Sequence, residues 1–487
     1  MGNLLIVLLA IPLALAGLSL LTSWRIIRAL TAIGSMSVLI LALVVAFAGI
    51  VDRQTLSTLG GAIYLDSMGT VFLLTVALVY GLTGVYSIGY LEEKGHVPVV
   101  GDFNRNYYIF FNLFGWTMLL VPLLNNLAVL WIAIELTTIL SAVLVALEGT
   151  ETAVEASWKY ILIASSGLAL ALVSVIMLYY AGTGPLGMSY QPDWTALVAA
   201  APQLQGDVVK LAFLLAVLGF GTKAGLAPMH TWLPDAHSEA PSSISAMLSG
   251  ALLADALYAI FRMYAIAVRS AGAQFSHEVL LGFGLISLLI SAFFVLRQQN
   301  YKRLLAYSSV EHMGLMAVAV SFGAPLALYG VFLHVINHAA TKSMIFFGAG
   351  SILRKYESKE MQEVSGVIKL MPATGPLILV AVLAVTGLPP FGIFRSELLM
   401  LSGGFSHNST VAAAVFLALI NLAFLGIFFF FNRMIFSAPT DRFPRGEVSR
   451  WMVTAMALDV IVVLGLGLYV PDPLVTIFNR AAALMGG

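Results

Sequence analysis

Two glutamates, two lysines and a row of histidines stand where the chain is otherwise apolar, and residues of these types can pass protons from one to the next. Glu135 lies in WIAIELTTIL, Lys223 in GFGTKAGLAP and Glu397 in FGIFRSELLML. His334, His338 and Lys342 recur at intervals of four, which puts all three on one face of a helix. Glu311 and His312 add a polar step in YSSVEHMG. Burial disfavours the charged forms of lysine and glutamate, and histidine exchanges protons near neutral pH with little perturbation. A series of Glu, Lys, His, Lys and Glu therefore has the chemistry of a proton wire. The same residues also fit a set of static ion pairs that specify helix packing. His230, His237, Asp255 and Lys159 are further relay candidates. His230 and His237 fit helix capping or loop stapling equally well, and Asp255 fits an ion pair with Lys223 or Arg262. Asp459 is isolated in its apolar stretch, with contact to another subunit as its one suggested role.

The segments that must position these residues are membrane helices. Of 487 residues, 60% are hydrophobic and 10% charged, against about a quarter charged in soluble proteins. A crossing needs about 20 mostly apolar residues, and the chain has fourteen such stretches, from 3–21 to 452–471. Glu135 falls in 126–147, Lys223 in 208–232, Lys342 in 325–352 and Glu397 in 372–402. Each charge near mid-bilayer costs at least about 2.5–3.5 kcal/mol, so a chain that keeps several retains them for pairing or passage. The first stretch has no basic region before it and reads as a retained helix rather than a cleaved signal. With no cysteine, disulfides, thiolate nucleophiles and all-cysteine iron–sulfur clusters are excluded, and no cofactor is expected in this chain. Its 24 basic and 24 acidic residues balance, and without basic blocks nucleic acid is not an expected partner.

Sixteen basic residues, among them Arg25, Arg28, Lys94, Lys302 and Arg450, fall in one set of alternate loops, and five in the other: Arg53, Lys210, Arg262, Arg269 and Arg480. The positive-inside rule makes the richer side cytoplasmic, which implies a cytoplasmic-membrane protein with both termini outside the cytoplasm. Two segments recur. EASWKYILIASSG from Glu155 aligns with HAATKSMIFFGAG from His338, matching Lys159 to Lys342, and Gly225-Leu226-Ala227-Pro228 aligns with Gly387-Leu388-Pro389-Pro390. Each match spans five crossings, an odd number, so the units would be inverted repeats. The expected organisation is helices 1–3 at 1–106, a first five-helix unit at 107–269, a second at 270–436 and a last helix within 437–487. Proline inside crossings seven and twelve removes backbone hydrogen bonds, which a membrane tolerates beside a polar cavity, so both helices are expected to be broken.

The run KAGLAPMHTWLPDAHSEAPSSISAMLSG, from Lys223 to Gly250, resembles the antiporter-like membrane subunits of respiratory complex I, the multi-subunit Na+/H+ antiporters and the membrane-bound hydrogenases. YLDSMGTVF with YSIGYLEE, KRLLAYSSVEHMG, HVINHAATKSMIFFGAG and TGLPPFGIFRSELLML carry the likeness along nearly the whole chain. Ser-Ser-Val-Glu-His-Met-Gly and Asp-Ala-His-Ser-Glu-Ala-Pro are most similar to the hydrogenase-4 component F branch. The resemblance implies an all-α fold of fourteen membrane helices with helices 7 and 12 broken, and it implies roles. Lys223 matches the pumping lysine and Glu135 the glutamate that modulates it. His334, His338 and Lys342 match the central connecting residues, and Glu397 the terminal one. Many relatives also place a lysine where Ala254 stands here, so either water, His230 and His237 bridge Lys223 to the central histidines or the half-channel is impaired, with Asp255 a substitute relay or a static ion-pair partner. The implied function is proton translocation, with Na+ not excluded, in a redox complex of hydrogenase or formate hydrogenlyase type. Its partners would be other membrane subunits and a peripheral arm holding iron–sulfur and nickel–iron centres. The alternative is a cation/proton antiporter or an inorganic-carbon uptake system without redox partners.

Overall fold

A computed structural model describes residues 2–53, 55–92, 103–407, 409–439 and 442–486. Lys94 and most of the 91–106 connection lie outside the described residues. The chain opens with α1 (Gly2–Leu21), α2 (Trp24–Val45) and the short α3 (Val51–Arg53). A small antiparallel hairpin follows, β1 (Leu56–Thr58) against β2 (Ile63–Leu65), with Leu56 opposite Leu65. Then come α4 (Ser67–Glu92), α5 (Phe103–Leu120), α6 (Leu127–Val145), α7 (Glu151–Leu186) and the short α8 (Trp194–Ala200).

The middle of the chain holds α9 (Gly206–Ala224), α10 (Trp232–Glu239), α11 (Ser242–Met247), α12 (Leu253–Ala271), α13 (Ala273–Val295), α14 (Tyr301–Ser321) and the long α15 (Pro325–Tyr356). It ends with α16 (Val367–Leu370), α17 (Thr374–Val385), α18 (Gly392–Ser406), α19 (Thr410–Phe436), α20 (Arg450–Leu468) and α21 (Asp472–Leu484). Among the described residues, eleven helical segments are long and apolar enough to cross a membrane, so the protein is an integral, polytopic membrane protein. Three of the fourteen expected stretches fall outside that set. One is α5, one is α15 with its histidines and lysine, and the third is 372–402, which splits into α17 and α18.

The starts of the site helices are fixed locally. Asn126 accepts hydrogen bonds from the backbone N–H groups of Ala128 and Val129 at 3.0 and 3.2 Å and caps α6. Thr150 caps α7 through Ala153, and Asn300 caps α14 through Lys302 and Arg303.

Both expected helix breaks are present, and they share one hydrogen-bond pattern. α9 ends at Gly225 (φ +80) and α17 is followed by Gly387 (φ +66), a left-handed conformation that suits glycine. Leu226 N–H donates to Gly221 O and Leu388 N–H to Leu383 O. Met229 N–H then donates to Leu226 O, as Phe391 N–H does to Leu388 O. The Gly-Leu-Ala-Pro and Gly-Leu-Pro-Pro segments thus fold alike. The Lys159–Lys342 match does not extend to surroundings: Lys159 is exposed and Lys342 is fully buried.

The helices form an inner group and an outer shell. The apolar windows of α4, of the continuous α11–α12 segment and of α14 are almost wholly buried, whereas those of α1, α2, α7, α13, α19 and α20 present most of their apolar surface outward. Such outward apolar faces suit lipid rather than water. Buried serine, threonine and histidine gather on the inner helices.

Two cations counted as loop residues are placed differently. Arg262 lies inside α12 with 2% exposure, and Lys302, also buried, donates to Ala240 O at 2.6 Å. Arg262 does not pair with Asp255. It donates to both carboxylate oxygens of Asp66 at 2.6 and 2.8 Å, between the rings of Trp194 and Tyr258. Asp66 also accepts from Gly69 N–H at 2.8 Å and so caps the first turn of α4.

Candidate functional site: a buried polar series across the broken helices

Lys223 occupies the last turn of α9, directly before the Gly225 break, with no solvent exposure. Its ammonium donates to Thr138 Oγ1 at 2.8 Å and to the Tyr160 hydroxyl, and it lies 4.7 Å from the centre of the Tyr160 ring. The Tyr160 hydroxyl also meets Ser141 Oγ at 2.8 Å, and its ring stacks on Trp232 at 4.4 Å. Trp232 Nε1 donates to Thr222 O across the break. α7 and α9 come this close because Gly167 faces Thr222 and Gly219 faces Ala171, with no room for a larger side chain at either glycine.

Glu135 sits one turn before Thr138 on α6, half-buried, and accepts from Ser165 Oγ at 2.6 Å through one oxygen. Its other oxygen has no partner. Among the described residues no ion pair joins Glu135 to Lys223; hydroxyls stand around both. Asp255 is 1% exposed, and neither of its carboxylate oxygens is hydrogen-bonded. The ion pair with Arg262 is not what the fold builds, because Asp66 has taken that guanidinium.

The central residues converge on α15. His312 Nδ1 lies 3.1 Å from His334 Nε2, and His334 Nδ1 lies 2.9 Å from Ser396 Oγ. Across the first contact one ring must donate and the other accept, so two fully protonated rings cannot face each other there. His338 packs beside both, with ring centres 5.1 Å from His312 and 6.2 Å from His334, and neither of its nitrogens has a partner. One turn on, Lys342 donates to Leu305 O at 3.3 Å and to Ser308 Oγ.

Glu311 lies one turn beyond Ser308 on α14. It shares with Glu397 a cavity of about 260 Å³ that also touches Thr386, Gly387 and Asn421. The Glu397 carboxylate rests against Gly387, where a Cβ would collide with it. Asn337 ties α15 to this second break by donating to Gly392 O at 2.8 Å.

The remaining candidates are placed as follows. His237 is buried in α10 with Nδ1 2.9 Å from Leu233 O and Nε2 without a partner, and His230 precedes it in the turn after the break with Nδ1 unpartnered. Both lie on the second limb of the broken helix rather than in a loop. Lys159, a relay candidate from sequence, instead forms an exposed ion pair with Glu155, one residue short of the tyrosine that meets Lys223. Asp459, read as a subunit contact, points inward: it is fully buried and accepts from Ser343 Oγ at 2.9 Å. Thr138, Ser141, Tyr160, Ser165, Ser308 and Ser396 were not singled out beforehand. Thr138 shares the Glu135 face of α6 by spacing and could have been found; Tyr160 carried no such signal. Among the described residues no group of three or more His, Asp or Glu is arranged to hold a metal ion.

Residues 125–423 match the family described as NADH:quinone oxidoreductase/Mrp antiporter, transmembrane. The chain is 34% identical over 436 residues to a hydrogenase-4 component F homolog of Methylacidiphilum infernorum, covering 88% of this chain and 89% of that one. The fold superposes on a chain of an archaeal membrane-bound sulfane sulfur reductase with TM-score 0.86 at 24% identity, covering 99% and 97% of the two chains. It likewise superposes on a chain of Thermus thermophilus respiratory complex I with TM-score 0.82 at 23% identity, covering 99% and 100%. The matched span takes in both broken helices and the whole buried series between Lys223 and Glu397, and the chain therefore belongs to the antiporter-like membrane subunits of complex I, Mrp and hydrogenase-type assemblies.

Proposed function

We propose that this chain is the proton-translocating subunit of a membrane-bound redox complex of hydrogenase or formate hydrogenlyase type. The observation that carries the reading is the pair of buried lysines held by hydroxyl groups without a counter-ion bond, together with a histidine cluster that has free ring nitrogens. A static packing device would close such groups into ion pairs, because an unpaired charge in a membrane interior is costly. Groups left with open hydrogen-bonding positions can instead take or release a proton as water and neighbouring charges rearrange.

In this reading Glu135 and Tyr160 set the charge balance around Lys223, and His334, His338 and Lys342 connect it to Glu311 and Glu397. Asp255, His230 and His237 supply the link that a lysine at the place of Ala254 gives in relatives. The three stretches α5, α15 and α17–α18 complete fourteen crossings. The two similar breaks then belong to inverted five-helix units at 107–269 and 270–436, flanked by 1–106 and 437–487. The side richer in lysine and arginine faces the cytoplasm, and both termini face away from it.

The hydrogenase assignment is supported by the component F homolog at 34% identity. Electron transfer in a peripheral arm of partner subunits, bearing iron–sulfur and nickel–iron centres, would drive the protons, since this cysteine-free chain has no thiolate to hold such a cluster. The test is to purify the native complex and assay iron and nickel together with ion transport. Both metals present in stoichiometric amounts is the expected result. A preparation that transports ions and lacks both metals would move the chain to the multi-subunit cation/proton antiporters or to proton-coupled solute uptake.

A further inference from the structure

α2 and α20, from opposite ends of the chain, begin at the same level against α4 and leave a cleft of about 710 Å³ between them. Arg25 and Arg28 from α2 and Arg450 from α20 line it at the two helix starts, and no acidic side chain among the described residues lines it anywhere. Beyond the arginines the lining is apolar except for Ser37, with Ile33 and Ile40 on one α2 stripe and Ile88 on α4. Residues spaced as 25, 29, 33, 36 and 40 share one helix face. From Arg25 to Ile40 that face rises about 22 Å at about 1.5 Å per residue, enough to cross one leaflet's hydrocarbon of about 15 Å.

Two features fix the depth and sign of the arginine end. The guanidinium of Arg25 lies 5.9 Å from the Trp24 ring and that of Arg450 lies 5.5 Å from the Trp451 ring. Tryptophan concentrates at the headgroup level, so the arginines sit where phosphates are. Cations in a helix's first turn also oppose the helix dipole. Both arginines bear that cost, and an anion between the two helix starts offsets it.

We propose that this cleft binds one acidic phospholipid, its phosphate held by Arg25 and Arg450 and an acyl chain laid along the α2 stripe. The apolar stripe selects a lipid over a free phosphate, and two converging cations select an anionic headgroup over a zwitterionic one. The lipid would join the first helices of the chain to the last across a gap that protein atoms leave open.

The test is a titration of the delipidated, detergent-purified protein with phosphatidylglycerol and with phosphatidylcholine, bound lipid being counted by native mass spectrometry. At about 1 kcal/mol per cation near an anionic headgroup, the double variant Arg25→Gln/Arg450→Gln should bind phosphatidylglycerol about 30-fold more weakly, and Arg25→Lys/Arg450→Lys within a few-fold of the parent. Ile33→Trp, at a position 66% exposed, keeps every charge but fills the cleft and should weaken binding about tenfold; it serves as the test if the glutamine variant does not fold. Phosphatidylcholine bound by the parent as tightly as phosphatidylglycerol, or phosphatidylglycerol affinity unchanged in the glutamine and tryptophan variants, would overturn the proposal.

Discussion

The Asp66–Arg262 pair allows the supporting frame to be separated from the proposed proton path by a stability measurement. Its two hydrogen bonds of 2.6 and 2.8 Å lie between side chains that are each 2% exposed. Removing one member of such a buried pair strands the other charge and costs about 3–5 kcal/mol. Arg262→Met should therefore destabilise by that amount. Asp66→Leu should cost the same and about 1 kcal/mol more, because Asp66 also caps α4 through Gly69 N–H. The double variant strands no charge and should lose little beyond the cap, so the two single effects should fail to add by at least about 3 kcal/mol.

The assay is the half-time of thermal inactivation in detergent at fixed temperature. A loss of about 3 kcal/mol felt in the unfolding barrier shortens the half-time by roughly 150-fold. Arg262→Lys should recover only part of it, since an ammonium cannot make the two parallel bonds. A single variant that decays at the parent rate, or single effects that simply add in the double, would refute the reasoning.

Three further outcomes follow from the site. Gly387→Ala puts a Cβ into the Glu397 carboxylate at a position with φ +66; it should at least halve driven proton translocation with the complex still assembled, and a parent rate would show that the second break is not part of the path. Asp255→Asn keeps shape and burial but cannot ionise, so it should slow translocation about tenfold or more at unchanged thermal stability; an unchanged rate would return Asp255 to a packing role. Lys159→Ala removes an exposed i,i+4 ion pair, which solvent screens to little effect, and should leave vesicle translocation unaffected, whereas a loss would restore Lys159 to the relay.

Much of this arrangement is legible in the sequence because it follows helical spacing and local breakers. Glycine followed by proline within an apolar stretch marks both breaks, and the fourfold interval of His334, His338 and Lys342 puts them on one face. What spacing cannot give is which face meets which. Arg262 was matched to a nearby acid in sequence, but its partner Asp66 lies 196 residues away. The alignment with Lys342 points to Lys159, yet the neighbouring Tyr160 turns toward Lys223. Asp459 stands alone in its apolar stretch and so suggests a subunit contact, but the rotation of α20 about its axis, set by packing on α15 and α4, turns the carboxyl inward.

The most direct test of the central claim is driven proton uptake by membrane vesicles holding the native complex, compared for the parent, Lys223→Ala and Glu135→Ala with assembly checked in each. The account predicts that both substitutions abolish translocation while the assembled complex persists. Uptake at the parent rate in both would contradict it and leave the buried lysine as part of a membrane scaffold.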